Sequence, residues 1–214
     1  MTHNQPGDGQ RYVVKSKMKL WTIQTDTAWR SMQERGYLRG HRGHADRDFL
    51  PAYDWMAAQM RDRIGQPPSP RVSVPIWAWR QYDGIHRQRP DLRSSGHLPT
   101  GTRGVRISFT IPENRALLSD FELWHYTLNF WYLASSESEA GTFAERHQNL
   151  SYSWSNPPTD RAINSVIQSS WQRMFDLDWH DPYVTAPRDK KSIQATLWQL
   201  DKEWITTVDE FIAR

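Results

Sequence analysis

Six arginines crowd one stretch of this chain: Arg80, Arg87, Arg89, Arg93, Arg103 and Arg106. A guanidinium meets phosphate oxygens through two parallel N–H donors, so two or three together can hold a pyrophosphate. Tyr82 lies in the same stretch, and Trp77 and Trp79 stand just before it. A base stacks on a ring while cations meet its phosphates, so rings beside arginines are what a nucleotide or single-stranded RNA site requires. A solvated loop face explains the same arginines equally well, and both readings stay open.

Other groupings carry less chemistry. Phe121, Trp124, His125, Leu128, Trp131 and Tyr132 recur at helical spacing. They can offer rings to a nucleobase, but core packing is the commoner fate of such a face, and His125 reads as a core histidine. His41 and His44 near Asp46 and Asp48 are types that ligate divalent ions, yet the surrounding arginines repel a cation. Asp176, Asp178 and Asp181 lack the glycine turn and further oxygen ligands of a calcium loop. No metal site is assigned. Glu122 favours a helix N-terminus, and Ser119 or Asp120 is a good cap for it. Neither GxGxxG nor GxxxxGK[ST] occurs, and HExxH, GxSxG and the kinase set are missing too, which removes several common enzyme classes.

The bulk numbers narrow the field further. With no cysteine in 214 residues, disulfides, Cys-ligated zinc, Fe–S clusters and thiol catalysis are excluded. Lys and Arg exceed Asp and Glu by 27 to 24, a bias that permits a nucleic-acid partner without demanding one. Twelve Trp promise a core built from rings, each burying roughly 150–250 Å² if enclosed. No apolar run approaches the roughly 20 residues of a membrane span, so no membrane partner is expected. The polar stretch 1–17 lacks the apolar centre of a signal peptide. It reads as a disordered leader before one domain over 18–214, with Met18 an alternative start and the cytoplasm the expected compartment.

Those candidate residues need elements to position them. Lys19–Ile23 reads as a strand, followed by a helix capped by Asp26 or Thr27 and stopped at Gly36. Arg39–Asp48 is a polar loop, and Phe49–Ile64 carries one apolar helical face. Val72–Trp79 is a strand broken by Pro75, hence near an edge or a bulge. Tyr82–Thr102 is a long Arg-, Gly- and Pro-rich loop of the kind that often carries function. Gly104–Ile111 alternates as a half-buried strand, Phe121–Leu133 is an aromatic helix, and Ser135–Asn149 an acidic loop. Asp160–Phe175 is an amphipathic helix. Ser192–Leu200, its phase broken at Trp198, and Trp204–Phe211 close the chain as strands. Strands and helices mix without strict βαβ alternation, which predicts an α+β fold with a mixed or antiparallel sheet.

Two resemblances add to this reading. The segments MKLWTIQ, FLPAYDWM, LLSDFELWH and SIQATLWQL resemble an uncharacterised family of bacterial and phage proteins, a domain of unknown function from about Met18 to the C-terminus; that resemblance implies no activity. More distantly, the chain resembles the ADP-ribosyltransferase fold in three segments. These are the opening strand Leu20–Ile23 with its Gly-stopped helix, the strand leading into Ile111–Asp120, and a closing pair, QATLWQL then EWITTVDEF, read as the last hairpin.

This second resemblance implies NAD as cofactor, with ADP-ribose transferred to a protein or nucleic-acid acceptor. It implies a cofactor wall of Trp21, Thr22 and Gln24, where the fold carries His or Arg. Trp77, Trp79 and Tyr82 become stacking surfaces, Arg80 and Arg93 phosphate ligands, and Gln194 (or else Gln199) takes the position of the catalytic Glu. Gln194, Thr22 and Gln24 are thus the implied catalytic set. An amide there keeps a hydrogen bond and loses a charge, commonly about 10²–10³ in rate. The slot requires the opening strand beside the closing hairpin. The alternatives are a non-catalytic protein-interaction module in a phage-conflict setting and an RNA-binding module with a Trp- and Arg-rich surface.

Overall fold

A computed structural model describes residues 16–147 and 152–214. Residues 1–15 of the expected leader lie outside the described residues, as do 148–151, where the expected acidic loop ends. In chain order the elements are β1 (Lys17–Thr25), α1 (Asp26–Arg35), β2 (Tyr37–Arg39), α2 (Leu50–Ile64), β3 (Ile76–Gln81), β4 (Arg103–Pro112) and β5 (Leu117–Asp120). There follow α3 (Phe121–Leu128), α4 (Glu137–Arg146), α5 (Arg161–Ser170), β6 (Ile193–Leu197), β7 (Gln199–Asp201) and β8 (Ile205–Ile212). Six strands form one sheet in the order β5-β6-β3-β1-β4-β8, with every neighbouring pair antiparallel. β2 and β7 form a separate two-stranded ribbon. The architecture is α+β on an antiparallel sheet.

Period-two alternation divides the side chains between the two faces of the main sheet. β1 and β4 pair Leu20 with Phe109 and Thr22 with Ile107. Leu20, Phe109 and Ile107 join Ile76, Ala78, Ala195 and Leu197 in a core closed by Met32 of α1. The other face presents Trp77 and Leu117 to α2, α3 and α5, where Trp55, Met56, Trp124, Ile167 and Trp171 pack. A fully enclosed Phe or Leu in either layer contributes about 1.5–3 kcal/mol by burial.

Several local expectations are corrected. Thr25, rather than Asp26 or Thr27, caps α1, its Oγ1 accepting from the Ala28 N–H at 3.2 Å. Gly36 ends the helix at φ 80°, a left-handed position that costs glycine little. β3 begins only after Pro75 and lies between β6 and β1, an interior strand rather than an edge, while a bulge does occur in it, as a register shift between Trp79 and Gln81. Proline is tolerated because it stays outside the ladder. α3 stops at Leu128, short of Leu133, as the chain turns through Phe130 at φ 58°. Where a loop was expected, Ser136 accepts from the Glu139 N–H at 3.3 Å and starts α4.

The expected closing hairpin does not form. β6 and β8 are separated by β3, β1 and β4. The reason is Trp198. It is buried, with Nε1 donating to the Gly65 carbonyl at 2.8 Å, and this breaks the strand so that Gln199–Asp201 pairs with Tyr37–Arg39 instead. A 3-10 turn, Lys202–Trp204, then carries the chain to the far edge as β8. β1 is flanked by β3 and β4, with β6 one strand beyond β3.

Candidate functional site

Tyr82–Thr102 folds back over β1, β3 and β4 and encloses a groove of about 1290 Å³. Its first turn is tight: Tyr82 N donates to the Gln88 carbonyl and Asp83 N to the Arg87 carbonyl, each at 3.0 Å. Gly84 makes that turn possible at φ 69° and leaves no room for a Cβ, which would lie 3.0 Å from the Asp189 carbonyl oxygen. Ile85 N meets that same carbonyl at 2.7 Å, and Ser192 Oγ donates to the Tyr82 carbonyl at 2.7 Å. Farther along, Arg106 of β4 is buried, with Nη1 donating to the Pro90 carbonyl at 2.5 Å and Nη2 reaching Asp209 of β8 at 2.7 Å. The loop is therefore fastened to the sheet at both its start and its middle.

Rings line the floor. Trp79 stands edge-on to Tyr82 at 4.9 Å and to Phe121 at 5.0 Å, while Tyr82 lies 5.6 Å from His97. Trp21 is the cross-strand partner of Trp79, and Lys19 Nζ rests 5.5 Å from the Trp21 ring centroid. Arg87, Arg89 and Arg93 stand along the loop wall. Arg87 pairs with Asp83 at 2.9 Å and Arg93 with Asp91 at 2.6 Å. The Arg93 guanidinium and backbone N–H hold the Asp91 carboxyl well below the usual carboxylate range. Among the described residues, Arg89 and Lys19 have no carboxylate within ion-pair distance. They are the cations free to meet an anion.

Beneath the groove runs a single cross-sheet row. Ser119 pairs with Gln194, Gln194 with Trp79, Trp79 with Trp21, and Trp21 with Ser108. Partners directly opposite in a ladder share a face, so all five side chains belong to the groove side. Trp21 Nε1, Ser119 Oγ and Gln194 Oε1 are buried without a hydrogen-bond partner among the described residues. Buried polar groups are usually paired, and three exceptions in one row mark polar capacity held in reserve.

The residues picked from sequence are brought together only in part. Trp21, Trp79, Tyr82 and Arg93 line the groove, and Gln194 lies in the row beneath it. Thr22 and Gln24 do not join Trp21, because alternation along β1 turns them to the opposite face; Gln24 Nε2 donates to Thr22 Oγ1, which donates to the Trp77 carbonyl. Trp77 packs against Tyr53 and Trp124 outside the groove. Arg80 sits at the register shift between Trp79 and Gln81, is not among the groove-lining residues, and donates to the Lys19 carbonyl at 3.3 Å. Gln199 binds Arg39 and Asp201 in the small ribbon. The sequence reading favoured core packing for Phe121, which lines the groove, and did not single out His97. It also missed the anchoring role of Arg106, whose signal was a charge among the apolar alternation of β4.

A buried ion pair stiffens one rim. Asp120 ends β5 and caps α3, its Oδ1 accepting from the N–H groups of Glu122 and Leu123 at 3.0 and 3.3 Å. Its Oδ2 accepts from Lys191 Nζ at 2.7 Å and Thr185 Oγ1 at 2.6 Å. The adjoining Phe121 N–H donates to the Ser192 carbonyl at 2.9 Å. Two residues lining the groove, Phe121 and Ser192, are thereby fixed next to the pair.

No curated protein and no solved structure matches the chain. The family model described as Domain of unknown function (DUF3841) matches residues 19–206, and the chain belongs to that family.

Proposed function

We propose that the groove binds NAD or a related nucleotide, and that the protein is a distant ADP-ribosyltransferase-like domain whose slot rests on β1, β3 and β6 in place of the closing hairpin, with binding outlasting turnover. The observation that carries this reading is the pairing of a ring floor (Trp21, Trp79, Tyr82, Phe121) with unpaired cations, Lys19 and Arg89, in one groove. Its volume, about 1290 Å³, exceeds the roughly 300–1,000 Å³ of ordinary small-molecule sites and suits a dinucleotide. A base stacks on the exposed ring faces. The pyrophosphate draws on Arg89 and Lys19, with Arg93 reachable by release from Asp91. Gln194 stands in the row beneath this floor, a neutral amide without the negative charge that stabilises an oxocarbenium-like centre. Transfer of ADP-ribose to a protein or nucleic acid is accordingly the slow arm of this reading.

The test is thermal unfolding with millimolar NAD, ADP-ribose and AMP. A ligand at 100 times its Kd adds about 2.7 kcal/mol to stability, a rise of several degrees. Arg89→Ala, at an exposed position, lowers the ligand response and leaves the unliganded Tm unchanged. Absence of any shift with all three ligands overturns the proposal.

A further inference from the structure

A second cleft, also about 1290 Å³, opens where β1 runs into α1. Arg35, Arg71, His41 and His44 line it together with Tyr53 and Trp77. Among the described residues no Asp or Glu lines it. Of the neighbouring carboxylates, Asp54 is held by Arg42 through two contacts, and Asp46 caps the Asp48 N–H. Asp46 also helps burial raise the Tyr53 hydroxyl above its ordinary pKa, so that ring stays neutral. Arg35 and Arg71 are exposed and make no ion pair among the described residues. An apolar and aromatic wall with Arg35 and Arg71 at its rim selects a ligand that carries both rings and negative charge.

The cleft meets the groove on one face of the sheet through Ile23 and Trp77, while Gln24 and Ile76 carry its lining round to the other face. Trp21 and Trp79 are partners in an antiparallel ladder, so Ile23 and Trp77 form the next pair on the same face. Ile23 and Trp77 line the cleft while Trp21 and Trp79 line the groove, and the successive loop residues His97 and Leu98 divide between them in the same way. Rings beside exposed arginines are the chemistry that stacked bases joined by phosphates require.

We propose that the second cleft binds a single-stranded nucleic-acid segment, with bases against Tyr53 and Trp77 and phosphates on Arg35 and Arg71. This goes beyond the nucleotide reading of the groove and stands or falls separately. Fluorescence anisotropy of labelled single-stranded RNA and DNA octamers of mixed sequence is the measurement. Binding falls with salt in proportion to the phosphates neutralised, at about 0.7 per contact on a log–log plot. The double variant Arg35→Glu/Arg71→Glu reduces affinity at least tenfold and flattens the salt dependence, with an unchanged Tm. Tyr53→Leu costs on the order of tenfold through lost stacking. Neither change alters the thermal response to NAD, whereas Arg89→Ala alters that response alone. Three outcomes overturn the proposal: no octamer binding at low salt, unchanged binding by the double variant, or equal competition from polyglutamate, which marks generic anion attraction.

Discussion

Lys191 Nζ lies 2.7 Å from Asp120 Oδ2, and each side chain is only 1 % exposed. Both charges have left water, and each depends on the other and on Thr185 for compensation. Removing one partner of such a pair strands the other and typically costs about 3–5 kcal/mol. Lys191→Met should lose stability of that order in urea unfolding. Adding Asp120→Asn, which keeps an oxygen to cap α3, should restore part of the loss.

Arg106 ties Pro90 to Asp209 and so fastens the long loop across β4 and β8. Arg106→Met keeps the bulk and loses both contacts. The expected result is faster tryptic cleavage after Arg87 and Arg93, with the amides of β1 and β4 still protected from hydrogen exchange. Unchanged cleavage would mean that the Gly84 turn and Ser192 alone hold the loop.

Gln194 is buried and its Oε1 lacks a partner. An unmade buried hydrogen bond costs about 1–3 kcal/mol, so Gln194→Leu should leave Tm unchanged or raise it while abolishing any NAD-dependent shift. Gln194→Glu puts a carboxyl in the same place. Burial raises a carboxyl's pKa, so this variant should be less stable than wild type at neutral pH and recover as the pH falls and the group protonates.

Glu139 anchors α4 through Ser135 and Tyr132, and those hydrogen bonds hold its carboxyl down to about 2, from an ordinary 4.5. A carboxyl that is more acidic folded than unfolded stabilises the fold fully above the unfolded value and loses that contribution as pH drops towards the folded one. The window here runs from 4.5 down to about 2. Thermal unfolding at about pH 6 and about pH 3 should show a Tm difference that shrinks in Glu139→Gln. An identical pH slope in the variant would contradict the anchor.

Much of the fold was legible because it was written in local patterns. The alternation of Val105, Ile107, Phe109 and Ile111 announced β4, and Gly36 announced the end of α1. Ser136 and Glu139 carried the spacing of a helix start that went unread. Long-range pairing left no such trace: nothing near Trp198 says that the next three residues pair with Tyr37–Arg39, because partner choice depends on residues more than 150 positions away, as in Arg39 to Gln199. The groove was legible as composition, through Trp79, Tyr82 and the arginines. Which faces those residues took was not, since one step along β1 separates Trp21 from Thr22.

Because the Trp198 indole is tied to Gly65, the residue that ends α2, the chain is pinned between β6 and the small ribbon. Fraying of the ribbon meets that pin before it reaches β6, whose ladder is shared with β3 and β5. A lesion in the three-residue strand would then be felt as local opening, whereas one at Trp198 itself would loosen both sheets.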